Sequence, residues 1–198
     1  RALIIGPPDT PYHNGYYLFD INFPKDYPQR PPKVLFCTLD SSWRANPNLY
    51  KDGKVCLSII GTWQGPQWTA CLSLTTVLLS IQSMVLGGGN SHPIQNEPGW
   101  EEETGKKSKD YNILLRYHNL RVGVLKMILD TPPCFEYFRT IMIDHFMENR
   151  FTFLKYLDSI KNLHKKVVSS SMFSMSYRIN INSNKDTMDK VYDKYIDL

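Results

Sequence analysis

A single cysteine, Cys56, has the sequence setting that most suggests chemistry. It lies in residues 46–57, which we predict to form an irregular loop because Pro47 lacks a backbone N–H and Asp52-Gly53 favours a tight turn. Such a turn would fold Asn48 back onto Cys56. A potential nucleophile beside a hydrogen-bonding amide makes these two residues the first candidates for a site.

The thiol of Cys56 has two interpretations. Lys51 and Lys54 bring positive charge close to it in sequence, which favours the reactive thiolate. However, a free cysteine is most often a small buried hydrophobic residue, and apolar residues follow Cys56 directly. On local chemistry alone the packing interpretation is the commoner one.

The composition predicts one globular domain with an extension. The chain has 198 residues, of which 42% are hydrophobic and 13% aromatic, enough to build a core. Its net charge is +4, and its 23 Lys and Arg are spread along the chain without a basic run, so nucleic-acid binding is not indicated. We find no signal-peptide pattern and no apolar run of about 18 residues, so neither secretion nor a membrane span is indicated.

The cysteines and histidines do not have the spacing of a metal site. No Cys-x-x-Cys pair occurs, and the five histidines do not fall at zinc spacings. We therefore expect a reducing compartment, cytoplasmic or nuclear, with free thiols. The four cysteines are Cys37, Cys56, Cys71 and Cys134.

Hydrophobic patterning predicts strands first and helices later. Apolar or alternating runs indicate strands at residues 2–5, 16–23 and 33–36, joined by turns as an antiparallel meander whose first strand has lost an earlier neighbour. Apolar stripes predict helices from Leu72 to the glycines at 87–89, from 109 to 129, and from 135 to 167 with an interruption near Asn149. Residues 169–176 are interpreted as a polar linker, and 186–196 as a short helix.

Three segments, in this order, resemble the ubiquitin-conjugating enzyme (E2) family. They are Pro11-Tyr-His-Asn-Gly15, then Phe23-Pro-Lys-Asp-Tyr-Pro-Gln-Arg-Pro-Pro-Lys-Val34, then Asn46-Pro-Asn48 with a cysteine eight positions on. The sequence from Cys56 to Trp68, Ser80-Ile-Gln-Ser83 and Asn96-Glu-Pro-Gly99 resemble the large Z-type subgroup charged by the second ubiquitin-activating enzyme. The resemblance extends to about residue 165.

The resemblance implies an α+β fold, the UBC fold, with an antiparallel meander sheet flanked by helices. Residues 1–130 would form the UBC core without its first helix and first strand. Residues 131–168 would form a C-terminal helical extension. Beyond the resemblance, the polar composition of residues 169–198 predicts a polar, partly disordered tail.

The resemblance also implies a reaction. Cys56 would accept ubiquitin, or a ubiquitin-like protein, from an E1 as a thioester and pass it to a substrate lysine or a ligase. Because a thioester is already activated, no strong nucleophile–base pair is required. Asn48 would donate its amide to the loop backbone or to the oxyanion, and Glu97 would orient the incoming lysine. The chain would bind no cofactor or metal itself, since the partner E1 uses ATP-Mg.

The sequence departs from the common family pattern at several positions. Asn46 stands where most members have histidine, so a different side chain must brace the loop, and Ser58 stands where many have aspartate. Gln29, Ala70 and Cys71 replace the usual RING-ligase contact residues, which argues against an E3 docking there. Two further departures, a longer connection at residues 87–91 and Ile94 in place of tyrosine, border the cysteine.

Three classes of function therefore remain. The leading interpretation is a catalytic E2 with a Cys56 thioester, because the cysteine stands at the expected spacing. The alternative is a non-catalytic E2-like module that binds ubiquitin or a ligase. A thiol redox protein is the third, although no resolving cysteine stands at a recognisable spacing.

Overall fold

A three-stranded antiparallel sheet forms the first part of the fold. The computed structural model describes residues 1–87, 92–170 and 175–196, and its mixed α+β composition confirms the predicted class. The sheet has the order β1 (Ala2–Ile5), β2 (Tyr16–Asn22) and β3 (Lys33–Phe36). Ala2 pairs with Phe19 in β2, and Phe19 pairs with Phe36 on the other side.

Within the described residues, five α-helices and a two-stranded hairpin follow the sheet. The first helix begins with a capping box, in which the hydroxyls of Ser73 and Thr76 each accept a hydrogen bond from the other residue's backbone N–H at 3.4 Å. The helices are α1 (Leu74–Ser80), continued by the π-helical segment Ile81–Val85; α2 (Lys106–His118), continued by π-helical Asn119–Lys126 into α3 (Met127–Leu129); α4 (Arg139–Ser159); and α5 (Ile181–Tyr195).

Strand β2 supplies side chains to two separate cores. Because side chains alternate along a strand, Tyr17 and Phe19 face one core while Tyr16 and Leu18 face the other, and all four are 0% exposed. The first core contains residues of the Cys56 loop, α1 and α2. The second contains apolar residues of α4 and α5, among them Met142, Phe146, Phe153, Met188 and Val191. The Tyr16 hydroxyl also donates to the Met142 carbonyl at 2.7 Å.

Two helix predictions need correction. The fourth helix ends at Ser159, not at residue 167, and it continues through Asn149 without the expected interruption. Asn149 is compatible with the helix because its amide donates to the His145 carbonyl one turn earlier, at 2.9 Å. None of the helices in the described ranges is both long and apolar enough to cross a lipid bilayer.

The predicted polar linker is also wrong over its described residues. Strands β4 (Val167–Ser170) and β5 (Met175–Arg178) pair as an antiparallel hairpin. Val168, Ser170 and Met175 are buried, so the serines concealed an alternating strand pattern. The predicted helix at 186–196 is present as the longer α5. The division of the chain at residues 130 and 168 stays a prediction.

Candidate active site

A buried asparagine braces the loop that contains Cys56. The Asn46 amide donates to the Tyr12 hydroxyl at 2.7 Å and to the Val85 carbonyl at 2.8 Å, while its oxygen accepts from the Asn48 backbone N–H at 2.7 Å. Asn46 is 0% exposed, so each of these bonds forms away from water. It ties the loop to the β1–β2 turn and to the end of the π-helical segment after α1.

Asn48 and Cys56 are joined by two reciprocal hydrogen bonds. The Cys56 N–H donates to the Asn48 carbonyl at 2.8 Å, and the Asn48 side-chain amide donates to the Cys56 carbonyl at 3.0 Å. The Gly53 turn between them has φ +90°, a left-handed conformation that glycine adopts without strain. The turn therefore brings Asn48 onto the cysteine segment, with its amide on the loop backbone.

Thr62 holds the segment on the other side of Cys56. Its hydroxyl accepts from the Leu57 N–H at 2.9 Å and lies 2.6 Å from the Val55 carbonyl, to which it donates. One side chain thus bridges the residues immediately before and after the cysteine. Sequence reasoning missed this role, because the only signal was a threonine between a glycine and a tryptophan.

Cys56 itself is buried, at 1% exposure. The two lysines expected near its thiol have other partners. Lys51 donates to the Ser41 carbonyl at 3.3 Å, and the Lys54 ammonium lies 5.5 Å from the centre of the Tyr50 ring. Neither of these two contacts involves the thiol.

A polar chain connects Glu97 to the cysteine loop. The Arg44 guanidinium lies 3.6 Å from the Glu97 carboxylate and 3.9 Å from the centre of the Tyr50 ring, and it also donates to the Pro47 carbonyl. Burial, then the neighbouring Cys56 thiol and Glu97, raises the pKa of Tyr50, although Arg44 acts in the opposite direction. Tyr50 therefore keeps its proton at neutral pH and presents a hydroxyl beside Cys56.

Arg44 and Tyr50 connect Glu97 to the cysteine loop, and neither was predicted from the sequence as a site residue. Arg44 and Tyr50 lie on either side of the Asn46-Pro-Asn48 string, and their only sequence signal was an arginine and an aromatic residue in a polar loop. A long-range ion pair has no local pattern, which explains why the connection to Glu97 was missed.

The segment before Glu97 is anchored at both ends of its described part. The His92 ring lies 2.7 Å from the Ser108 hydroxyl, Ile94 is fully buried, and the Glu97 N–H donates to the Ile94 carbonyl at 3.2 Å. Most of the predicted glycine-rich connection, residues 88–91, lies outside the described residues.

The positions of the family's RING contact lie together on one exposed surface. The Trp68 indole donates to the Pro28 carbonyl at 2.7 Å, which joins the proline-rich loop to the segment after the tryptophan. Gln29, Ala70 and Cys71 lie close in sequence to the two residues of this hydrogen bond, and all three are exposed. Across the described ranges, no cluster of three or more His, Cys, Asp or Glu is suitable for a metal ion.

Comparisons with known proteins agree with this architecture. The family model for ubiquitin-conjugating enzyme matches residues 1–117. "Ubiquitin-conjugating enzyme E2 Z" of Xenopus tropicalis and of Homo sapiens are each 46% identical over 150 residues, covering 75% of this chain and 47% and 41% of theirs. "Putative ubiquitin-conjugating enzyme E2 39" of Arabidopsis thaliana is 35% identical over 216 residues, covering 100% of this chain and 62% of its own.

The chain thus spans less than half the length of the two E2 Z relatives. The family model covers more than half of the chain and includes Cys56, Asn48 and Glu97. On this match, with a mixed α+β fold that fits the UBC domain, the chain belongs to the ubiquitin-conjugating enzyme family.

Proposed function

We propose that this chain is a catalytic E2 that carries ubiquitin, or a ubiquitin-like protein, as a thioester on Cys56. The observation that carries the proposal is the pair of reciprocal hydrogen bonds between Asn48 and Cys56, at 2.8 and 3.0 Å. They hold an amide donor against the cysteine segment, which is where charge develops during acyl transfer.

The proposed reaction is an exchange of thioesters followed by transfer to an amine. The Cys56 thiolate attacks the carbonyl carbon of the E1 thioester, a new S–C bond forms, and the E1 thiolate leaves. The neutral amine of a substrate lysine, or the thiolate of a ligase cysteine, then attacks the carbonyl carbon of the Cys56 thioester. The S–C bond to Cys56 breaks, the Cys56 thiolate leaves, and solvent takes up the proton that the amine loses. The activating step consumes ATP-Mg on the E1, so this chain needs no cofactor of its own, and the cytoplasm or nucleus keeps its thiol reduced.

Asn48 and Glu97 have separate roles in this proposal. The Asn48 amide supports the cysteine segment and stabilises the oxyanion of the tetrahedral intermediate. Glu97, oriented by Arg44 at 3.6 Å, receives the ammonium of the incoming lysine and aligns the amine after it loses its proton. Glu97→Gln is therefore expected to slow discharge to lysine more than charging by an E1; equal slowing of both steps would contradict this role.

Burial of Cys56 sets a requirement for the reaction. At 1% exposure the thiol is reached by a ubiquitin tail only when neighbouring segments move aside. In the alternative proposal, a non-catalytic module, the thiol stays buried and the fold holds ubiquitin or a ligase without turnover.

A charging assay separates the two proposals. The protein is mixed with ubiquitin, ATP-Mg and each available E1, and the products are separated with and without thiol. We expect a thiol-sensitive adduct that is absent in Cys56→Ala and becomes a thiol-stable oxyester in Cys56→Ser. Cys71→Ala removes an exposed cysteine and is the matched control that retains the adduct.

The opposite pattern, loss of the adduct in Cys71→Ala but not in Cys56→Ala, would contradict the proposed nucleophile. If folded protein forms no adduct with any E1 or carrier protein yet still binds ubiquitin, the non-catalytic alternative replaces the proposal.

A further inference from the structure

A cavity of about 210 Å³ opens between the β1–β2 turn and helices α2 and α4. Its lining contains neither Cys56 nor its hydrogen-bonding neighbours. The turn contributes residues from Asp9 to His13, and the helical side includes Arg116, Leu120 and Tyr156. The cavity is therefore separate from the proposed reaction site, and its polar groups require their own explanation.

Two hydrogen-bond donors line this cavity without a partner among the described residues. The hydroxyl of Tyr156 is buried and makes no hydrogen bond. The Arg116 guanidinium makes no hydrogen bond or ion pair with any described residue. Its positive charge nevertheless acts to lower the pKa of Tyr156, against the larger effect of burial. The Tyr156 hydroxyl is the unusual one, because a buried donor without a partner has lost water without gaining a replacement, whereas the Arg116 side chain is exposed.

Two other polar side chains of the wall, Asn119 and Thr10, are already satisfied. The Asn119 amide donates to the His13 carbonyl at 2.9 Å, and its oxygen accepts from the Tyr17 hydroxyl at 2.6 Å. The Thr10 hydroxyl donates to the Pro7 carbonyl at 2.8 Å. Thr152 and the His13 ring have no side-chain hydrogen bond among the described residues, but Arg116 and Tyr156 are the two donors of the wall close enough for the charge of one to act on the other. Burial raises the pKa of Tyr156, so its hydroxyl keeps the proton that it would donate.

We propose that this cavity binds a compact oxyanion, a carboxylate or a phosphate, between Arg116 and Tyr156. Guanidinium groups bind such anions in a bidentate manner, and a neutral hydroxyl adds a third donor. At about 30 Å³ for each water, the cavity has room for about seven waters, which is enough for a phosphate or acetate ion. Asp9 lines the turn side, where it is exposed and solvent screens its repulsion.

The proposal is tested by titrating the whole chain with inorganic phosphate and, separately, with acetate, at ionic strength held constant with chloride. Binding is followed by the side-chain NMR signal of Arg116 and by the thermal midpoint, which we expect to rise by about 3 °C when the anion is at roughly ten times its Kd. The two titrations distinguish a phosphate from a carboxylate as the preferred ligand. Phosphate also stabilises proteins by exclusion from their surface, so the deciding quantity is the difference between wild type and variants.

Four variants give that difference. Arg116→Gln and Tyr156→Phe are each expected to weaken binding of the preferred anion about tenfold. For Tyr156→Phe, binding is followed by the NMR signal of Arg116. Lys155→Gln removes the same charge from the exposed neighbour of Tyr156 and is the matched control that leaves affinity unchanged. Asp9→Asn is expected to strengthen binding, since it removes a negative charge from the cavity wall.

Tyr156→Phe also distinguishes a loss of anion binding from a loss of folding. Because the variant removes only an unpartnered hydroxyl, it is expected to fold with an unchanged or higher thermal midpoint when no anion is present. The proposal is overturned if wild type, Arg116→Gln and Tyr156→Phe respond equally to both anions, or if neither anion shifts the Arg116 signal.

Discussion

The loop around Cys56 and the C-terminal helices α4 and α5 are held against the same strand by different interactions. The loop buries apolar side chains such as Leu49 and Val55, but it is also fixed by single polar atoms, such as the Asn46 amide bonded to Tyr12 and Val85. The C-terminal helices are fixed mainly by apolar side chains packed on the other face of β2. The difference predicts that substitutions in the loop change chemistry, whereas substitutions under the helices change stability.

Strand β2 is the boundary between the two regions. Tyr17 and Phe19 pack on the side of the cysteine loop, and Tyr16 and Leu18 pack on the side of α4 and α5. Because one short strand supports both cores, β2 is the route by which a disturbance of one core would reach the other. The following predictions test how far the two regions are independent.

The largest expected effect belongs to the apolar region. Phe146→Ala empties a fully buried site in α4 and is expected to lower the free energy of unfolding by about 3–5 kcal/mol, measured by urea denaturation. Phe151→Ala, in the same helix but 72% exposed, is the matched control with an expected change within about 0.5 kcal/mol. Adduct yield per folded molecule should stay constant in both variants; a selective loss in Phe146→Ala would mean that the regions are coupled.

The next effect belongs to the loop and concerns rate. Asn48→Ala removes the amide beside Cys56 and is expected to slow discharge of a preformed thioester to lysine by about 10²–10³-fold, as for other oxyanion donors. Its unfolding free energy should fall by only about 1 kcal/mol, since one partly buried hydrogen bond is lost.

Asn46→Ala is the comparison for that variant, two residues earlier in the same loop. Its amide serves buried partners in the first core, so removal is expected to cost about 1–3 kcal/mol of stability. If Asn46→Ala and Asn48→Ala lose stability and rate in the same proportion, the Asn48 amide has only the structural role.

The smallest predicted effect is a pH dependence that arises from a buried histidine beside the first core. His118 packs between Trp43 and Tyr177, and burial, then the nearby Arg121, lowers its pKa to about 3. Asp40 acts in the opposite direction and Lys51 in the same direction as Arg121. The folded state therefore keeps His118 neutral below pH 6.5, where the unfolded chain takes up a proton.

Stability is consequently expected to fall as pH decreases from about 6.5 towards 3, by at most about 1.4 kcal/mol per pH unit and about 2 kcal/mol by pH 5. His118→Gln should flatten this part of the curve, measured by urea denaturation at each pH. Equal slopes in wild type and His118→Gln would assign the pH dependence to other groups.

Local patterns predicted much of the fold. Alternation in residues 16–23 predicted β2, and apolar stripes predicted the helices around 72–85 and 109–129. The hairpin of β4 and β5 was missed, because serines in an alternating segment resemble a polar linker until a core covers one face. Asn48 beside Cys56 was predictable, since the intervening Gly53 turn is a local feature.

The sequence by itself determined the family, the order of the elements as far as α4 and the residues Cys56, Asn48 and Glu97 as candidates, because motifs, turns and periodicity are local properties of the chain. Only the tertiary structure decided that Asn46 braces the loop, that Arg44 connects Glu97 to Tyr50, and that Cys56 is buried. Those facts depend on atoms that are distant in sequence and meet only after both faces of β2 are packed.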